Sequence, residues 1–296
     1  MTVIIETTAM PPSGETFLIV GYSGSGKTTL GLTLPKPALF IFFDPSGAGG
    51  VRGFRGVSYV EFLSDETGIM PVGGISSKRK DGAGTRAPSL PSEIKFSPKT
   101  YLNFIAWWNE MAKSRALLNF ASIVLDSTSF LEAAIYDWVM TERGLWGNEP
   151  GTGEYMQFRD NVMMVARNVT AIRRHGVHVM FTTHIRDKTD QAGNVVGRVL
   201  KLYGSSREDL PGVFGNLFVA EFVRGRGVGD AVTGARYLLR TQPDSDLRLG
   251  KTSQKRFALP HEIDVTVTDW DRPEAGGLGK LIADIQNNAL EVAKDE

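Results

Sequence analysis

The segment Gly21-Tyr22-Ser23-Gly24-Ser25-Gly26-Lys27-Thr28 fills every fixed position of the pattern G-x-x-x-x-G-K-[ST], which puts tight demands on the chain around it. The glycines let successive backbone N–H groups curl around an anion, and a helix opening at the end of the loop adds partial positive charge. Lys27 is placed to reach the outer phosphates, Thr28 to offer a hydroxyl to Mg²⁺, and Thr29 to close the run. Such a loop needs a buried strand before it and a helix after it. The apolar run Phe17-Leu18-Ile19-Val20 supplies the first, and a helix from near Lys27 that must stop by Pro35 supplies the second. With 33 glycines, the bare pattern could arise as a glycine-rich turn; the strand-loop-helix context argues against that. The implied cofactors are ATP and Mg²⁺.

Further apolar runs repeat the arrangement. Ala38 to Phe43 ends at Asp44, Val57 to Phe62 follows, Ala121 to Leu125 ends at Asp126, and Val177 to Phe181 ends at Thr182-Thr183-His184. Helical spacing lies between them, over Tyr101 to Ala112, from Phe130 onward, and from about Tyr155 to Arg174. Trp107 and Trp108 read as core and flank of the first of these helices. Alternation of this kind predicts an α/β fold, a mainly parallel sheet with helices on both faces. The late runs Phe218 to Val223, Ala235 to Thr241 and Arg256 to Leu259 predict antiparallel strands added at the C-terminal edge. Residues 1–296 read as one domain, with a flexible insertion over 69–98, where Gly, Ser, Pro and Lys/Arg dominate, and a C-terminal tail with a helix over 267–296.

The 33 Lys and Arg balance 33 Asp and Glu, so no global field draws the chain to nucleic acid or an acidic surface, and any such contact must be local. With no cysteine, a disulfide scaffold and cysteine-ligated zinc are excluded. No run reaches the roughly 18 apolar residues of a membrane span, and the N-terminus has no basic stretch before a long apolar run. No membrane contact and a cytoplasmic location are expected.

A phosphate loop of this type needs a carboxylate at a neighbouring strand end to hold the hydrated Mg²⁺. Asp126 fits this role. Asp44 ends another buried strand and could polarise the attacking water; either could instead be a strand-end turn residue. His184, with Thr183 before it, is placed to sense the terminal phosphate, although a lone histidine is more often structural.

These residues resemble the RecA-fold ATPases, and among them the phage-encoded Sak-type single-strand annealing recombinases. The matching features are the phosphate loop, Ile123-Val124-Leu125-Asp126-Ser127, Trp146-Gly147 followed by Tyr155, Val179 to His184, and Gly250-Lys251 leading to Lys255-Arg256-Phe257. They span roughly residues 14 to 265. The resemblance implies a RecA-like core with ATP between neighbouring subunits of a ring or filament, and Lys251, Lys255 and Arg256 approaching the nucleotide from the next subunit. Phage origin would make the location the host cytoplasm. The stretch from Arg198 to Arg256 carries eleven basic and six acidic residues, which fits that role or a solvated basic face.

The resemblance also implies single-stranded DNA binding by two loops, Thr141 to Glu154 and Ile185 to Gly212. The second, read as mobile over 185–212, holds Arg186, Lys188, Arg198, Lys201 and Arg207. Lys78-Arg79-Lys80 is another possible contact. One departure stands out: where RecA-like proteins commonly place a water-activating glutamate, this chain has Asp44-Pro45-Ser46-Gly47, and Ser46 cannot act as that base. Either Asp44 does, or hydrolysis is slow and ATP serves mainly as an assembly switch. The alternatives to a recombinase are a helicase-related motor or loader, a small-molecule kinase, and a nucleotide-gated assembly protein.

Overall fold

The structure, a computed structural model, describes residues 13–63, 98–146, 148–223, 234, 236–242, 251–252 and 259–295. In chain order these form β1 (Thr16–Gly21), α1 (Lys27–Gly31), β2 (Ala38–Phe42), β3 (Val57–Glu61), α2 (Thr100–Lys113), β4 (Ser122–Asp126), α3 (Thr128–Glu142) and α4 (Thr152–Thr170). There follow β5 (His178–Thr189), β6 (Val195–Leu200), the single turn α5 (Ser206–Asp209), β7 (Asn216–Val223), β8 (Arg236–Arg240), β9 (Lys251–Thr252), β10 (Glu262–Asp264) and α6 (Gly277–Asp295).

The strands form one sheet in the order β10-β8-β7-β1-β5-β4-β2-β3. From β7 to β3 every neighbouring pair is parallel. Strands β1, β2 and β4 are buried along their whole length, which is why they read as unbroken apolar runs rather than alternating ones. The two faces carry separate cores. Tyr101 and Phe104 of α2, Leu131 and Ile135 of α3, and Phe158 and Val162 of α4 pack on one. Leu30 of α1 and Leu278, Leu281 and Ile282 of α6 pack on the other. Trp108 is buried and Trp107 half-buried against the same core. This is the mainly parallel sheet with helices on both faces expected from the sequence.

Three expectations change in detail. The run 218–223 lies in β7, which pairs parallel with β1 and extends the parallel sheet; only β8, β9 and β10 are antiparallel at that edge. Periodicity reports burial and cannot report direction, since parallel and antiparallel core strands look alike in sequence. Second, 185–212 is not a plain loop. β5 runs on past the sheet, and Ile185 to Thr189 pair antiparallel with Val195 to Leu200 of β6. Ile185, Leu200 and Leu202 anchor the hairpin in the core. Its turn is held by Asp190, whose carboxylate accepts from the N–H groups of Ala192 and Asn194. Apolar residues this sparse give little strand signal. Third, the C-terminal helix is docked, with Leu278 N–H donating to Thr33 Oγ1 at 2.9 Å. The 69–98 insertion lies almost wholly outside the described residues, as do Lys255, Arg256 and the side chain of Lys251.

Candidate nucleotide site

Because β1, β2, β4 and β5 are parallel, their carboxyl ends open on one edge of the sheet, where ligands of open α/β sheets collect. There Gly21 stands opposite His184 and Phe42 opposite Asp126. The phosphate loop leaves β1 and enters α1 through two glycines in left-handed conformation, Gly24 (φ 78°) and Gly26 (φ 84°). A Cβ on Gly26 would also stand 2.4 Å from the ring of Tyr237 on β8. Glycine there is fixed by backbone and by packing.

Lys27 is buried, and its ammonium donates to the carbonyls of Gly21 and Tyr22 at 3.0 and 2.7 Å. Burial lowers its pKa to about 8, against the pull of Asp126 and Asp44. Beside it, the Thr28 hydroxyl donates to Asp126 Oδ2 at 2.5 Å, and Thr182 of β5 donates to Oδ1 at 2.5 Å. Burial raises the Asp126 pKa, while these two hydroxyls and Lys27 favour the carboxylate. The Asp126–Ser127 peptide is cis.

Asp44 lies close enough to act electrostatically on Lys27, Asp126 and His184. Ser46 engages it directly: its hydroxyl and N–H both donate to Asp44 Oδ1, at 2.7 and 2.9 Å. The residue in the expected base position therefore orients the aspartate. His184 is half-buried; its N–H donates to Ser129 Oγ at 3.1 Å and its ring meets Phe130 edge-on. Burial, then Lys27, lowers its pKa to about 4, so the imidazole is neutral at physiological pH.

The structure thus brings Lys27, Thr28, Asp44, Asp126 and His184 together at one edge. Among the described residues, the hydroxyls of Ser25 in the phosphate loop, Ser127 and Thr128 just after β4, and Thr183 in β5 beside His184 are among those buried with no protein partner. Buried polar groups normally find partners, so this cluster fits a polar ligand. The donors suit ATP and Mg²⁺: backbone N–H groups and Lys27 for phosphate, with Thr28 and Asp126 as hard oxygen ligands for the metal.

Sequence reasoning missed Thr182, which was read only as part of a strand end, and Tyr237, which meets the loop from more than two hundred residues away. It also missed a small, mostly apolar cleft beside α1, lined by Thr29, Leu30, Tyr237, Val265, Val267 and Trp270 among others. Arg198, one of the cations of the second loop, lies over the Tyr22 ring, 5.3 Å from its centroid.

Two solved structures are among those to which the chain is similar. A KaiC-like protein from the hyperthermophilic archaeon Pyrococcus horikoshii OT3 is 13% identical, with 89% of this chain and 88% of that one covered at a TM-score of 0.42. The flagellar accessory protein FlaH from Methanocaldococcus jannaschii is 10% identical, with 86% of each chain covered at a TM-score of 0.36. No curated protein sequence matches the chain. The profile of the family described as AAA domain matches residues 13–245, and with its phosphate loop in place the chain belongs to that family of P-loop ATPases.

Proposed function

We propose that the chain is a Mg²⁺-dependent ATPase that assembles as a homo-oligomer on single-stranded DNA and acts in recombination or strand annealing, in the cytoplasm of its cell or host. The observation that carries the ATPase reading is the Thr28–Asp126 contact, which joins the loop hydroxyl to the carboxylate of a different strand at the point where the metal is needed. ATP brings the phosphoanhydride to be cleaved, and Mg²⁺ offsets charge on its oxygens. Lys27, now on two carbonyls, would turn to phosphate oxygens, and Thr28 and Asp126 would hold the metal. Asp44 orients water through the oxygen that Ser46 leaves free, and His184 donates from a neutral ring.

The DNA part of the proposal rests on the resemblance and on Arg186, Lys188 and Lys201, which are exposed on and beside the β5–β6 hairpin. The test is mass photometry with and without ATP, Mg²⁺ and single-stranded DNA, repeated on Lys27→Ala. An ATP-dependent assembly on DNA, abolished in the variant, is expected; no change with DNA sinks the recombinase reading. A second reading, a nucleotide-gated assembly protein with slow turnover, is favoured by the grip of Ser46 on Asp44. ATP-dependent assembly with negligible phosphate release would establish it. Strand displacement driven by hydrolysis would instead indicate a helicase or loader.

A further inference from the structure

The second residue of the phosphate loop ties the site to the β5–β6 hairpin. The Tyr22 hydroxyl donates to Asp187 Oδ1 on β5. Arg198, opposite Asp187 on β6, lies over the Tyr22 ring, and its Nε stands 3.6 Å from the same Asp187 oxygen. One terminal nitrogen of Arg198 is 3.9 Å from Glu221 Oε1 on β7. Glu221 in turn accepts from Arg240 Nε at 2.9 Å. Two carboxylates and two guanidinium groups therefore form one chain of contacts that meets the loop at Tyr22.

The interactions in this network are unequal. Both ion pairs of Arg198 exceed hydrogen-bond distance, and its side chain is one-third exposed, so solvent weakens them. If Arg198 leaves, Asp187 keeps the Tyr22 hydroxyl and Glu221 keeps Arg240, so neither carboxylate is parted from its closest partner. The carbonyl of Tyr22 is one of the two oxygens that hold Lys27, so the residue whose ring Arg198 covers is also one that contacts the phosphate-binding lysine. A guanidinium forms short, paired, charge-assisted hydrogen bonds to phosphate, stronger than the loose pairs it would give up.

We propose that Arg198 is a second cation for the terminal phosphate of the bound triphosphate, held in reserve by Asp187 and Glu221 and delivered from within the same subunit by the hairpin. This rests on the ATPase reading and goes beyond it. Asp187 and Glu221 keep the arginine on the outer side of Tyr22, and the added charge of the third phosphate draws it inward. Because Arg198 belongs to β6, its transfer shifts the hairpin that carries Arg186 and Lys188, so those two cations report which nucleotide is bound.

Calorimetric titration of the full chain with the β,γ-imido analogue of ATP and with ADP, both with Mg²⁺, tests this. Arg198→Gln is expected to weaken the triphosphate by about tenfold or more and ADP by less than about twofold. Asp187→Asn, which keeps an acceptor for Tyr22 but removes the competing charge, is expected to bind the triphosphate as tightly as wild type or more tightly. Equal weakening of both nucleotides in Arg198→Gln overturns the proposal. So does a weakening in Asp187→Asn that matches that of Arg198→Gln, which would mean that the network only holds the hairpin in place. A wild-type chain that binds neither nucleotide overturns the ATPase reading and this inference with it.

Discussion

At the scale of single residues the site is a set of short hydrogen bonds around one buried lysine, and two substitutions probe different parts of it. Asp44→Asn keeps the acceptor that Ser46 grips but removes the charge available to polarise water. If Asp44 is the base, steady-state phosphate release falls by about 10²-fold or more with nucleotide affinity little changed. Release at the wild-type rate would exclude Asp44 and leave the assembly-switch reading. Gly26→Ala places a Cβ in a left-handed backbone, at a cost of about 1–2 kcal/mol, and 2.4 Å from the Tyr237 ring. A melting temperature lowered by several degrees, together with abolished nucleotide binding by calorimetry, is expected. Unchanged binding would show that the loop does not need this conformation. Lys27, Thr28 and Asp126 were legible in the sequence because each sits at a fixed place in a motif or a strand end. Thr182 and Tyr237 were not, because a side chain that meets a loop from a distant strand leaves no local pattern.

At the scale of elements the hairpin Ile185–Leu200 is the feature that separates this molecule from a bare sheet. Its root is buried through Ile185 and Leu200, while Arg186 and Lys188 are exposed near it. If these cations bind DNA phosphates, Arg186→Ala with Lys188→Ala weakens single-strand binding in a filter or anisotropy assay. The slope of log affinity against log salt then flattens by roughly 1.4, about 0.7 for each single-strand phosphate that no longer has a cation beside it. An unchanged slope would remove the hairpin from the DNA surface. The same element shows the limits of composition: the polar stretch 185–212 reads as a loop, and it becomes a ribbon because β5 continues past β1 and finds its partner in β6.

At the scale of the whole molecule, two buried titratable groups on different elements set opposite pH dependences of stability. Burial pushes Glu132 of α3 up to about 7, against the N–H of Tyr203 and the nearby Ser206 and Arg207. Its contribution to stability is therefore full below its ordinary 4.5 and is lost as pH rises through about 7. Burial holds His178 of β5 down at about 4, where its Nδ1 accepts the Glu15 N–H at 3.0 Å. Its contribution is full above 6.5 and is lost as pH falls toward 4. Glu132→Gln removes the first of these losses, so its melting temperature is expected to exceed that of wild type near pH ~8, by up to about 3 kcal/mol of stability, and to converge with it near pH ~5. A constant offset at all pH values would show that Glu132 does not titrate in this window. The order of buried strands, the phosphate loop and the carboxylate that ends β4 follow from the sequence alone, since each depends on local burial and spacing. The tertiary structure decided the parallel direction of β7, the strand that extends β5 into the hairpin, and the placing of Arg198 over the Tyr22 ring. These depend on which elements become neighbours, and pairing across the fold leaves no periodic trace along the chain.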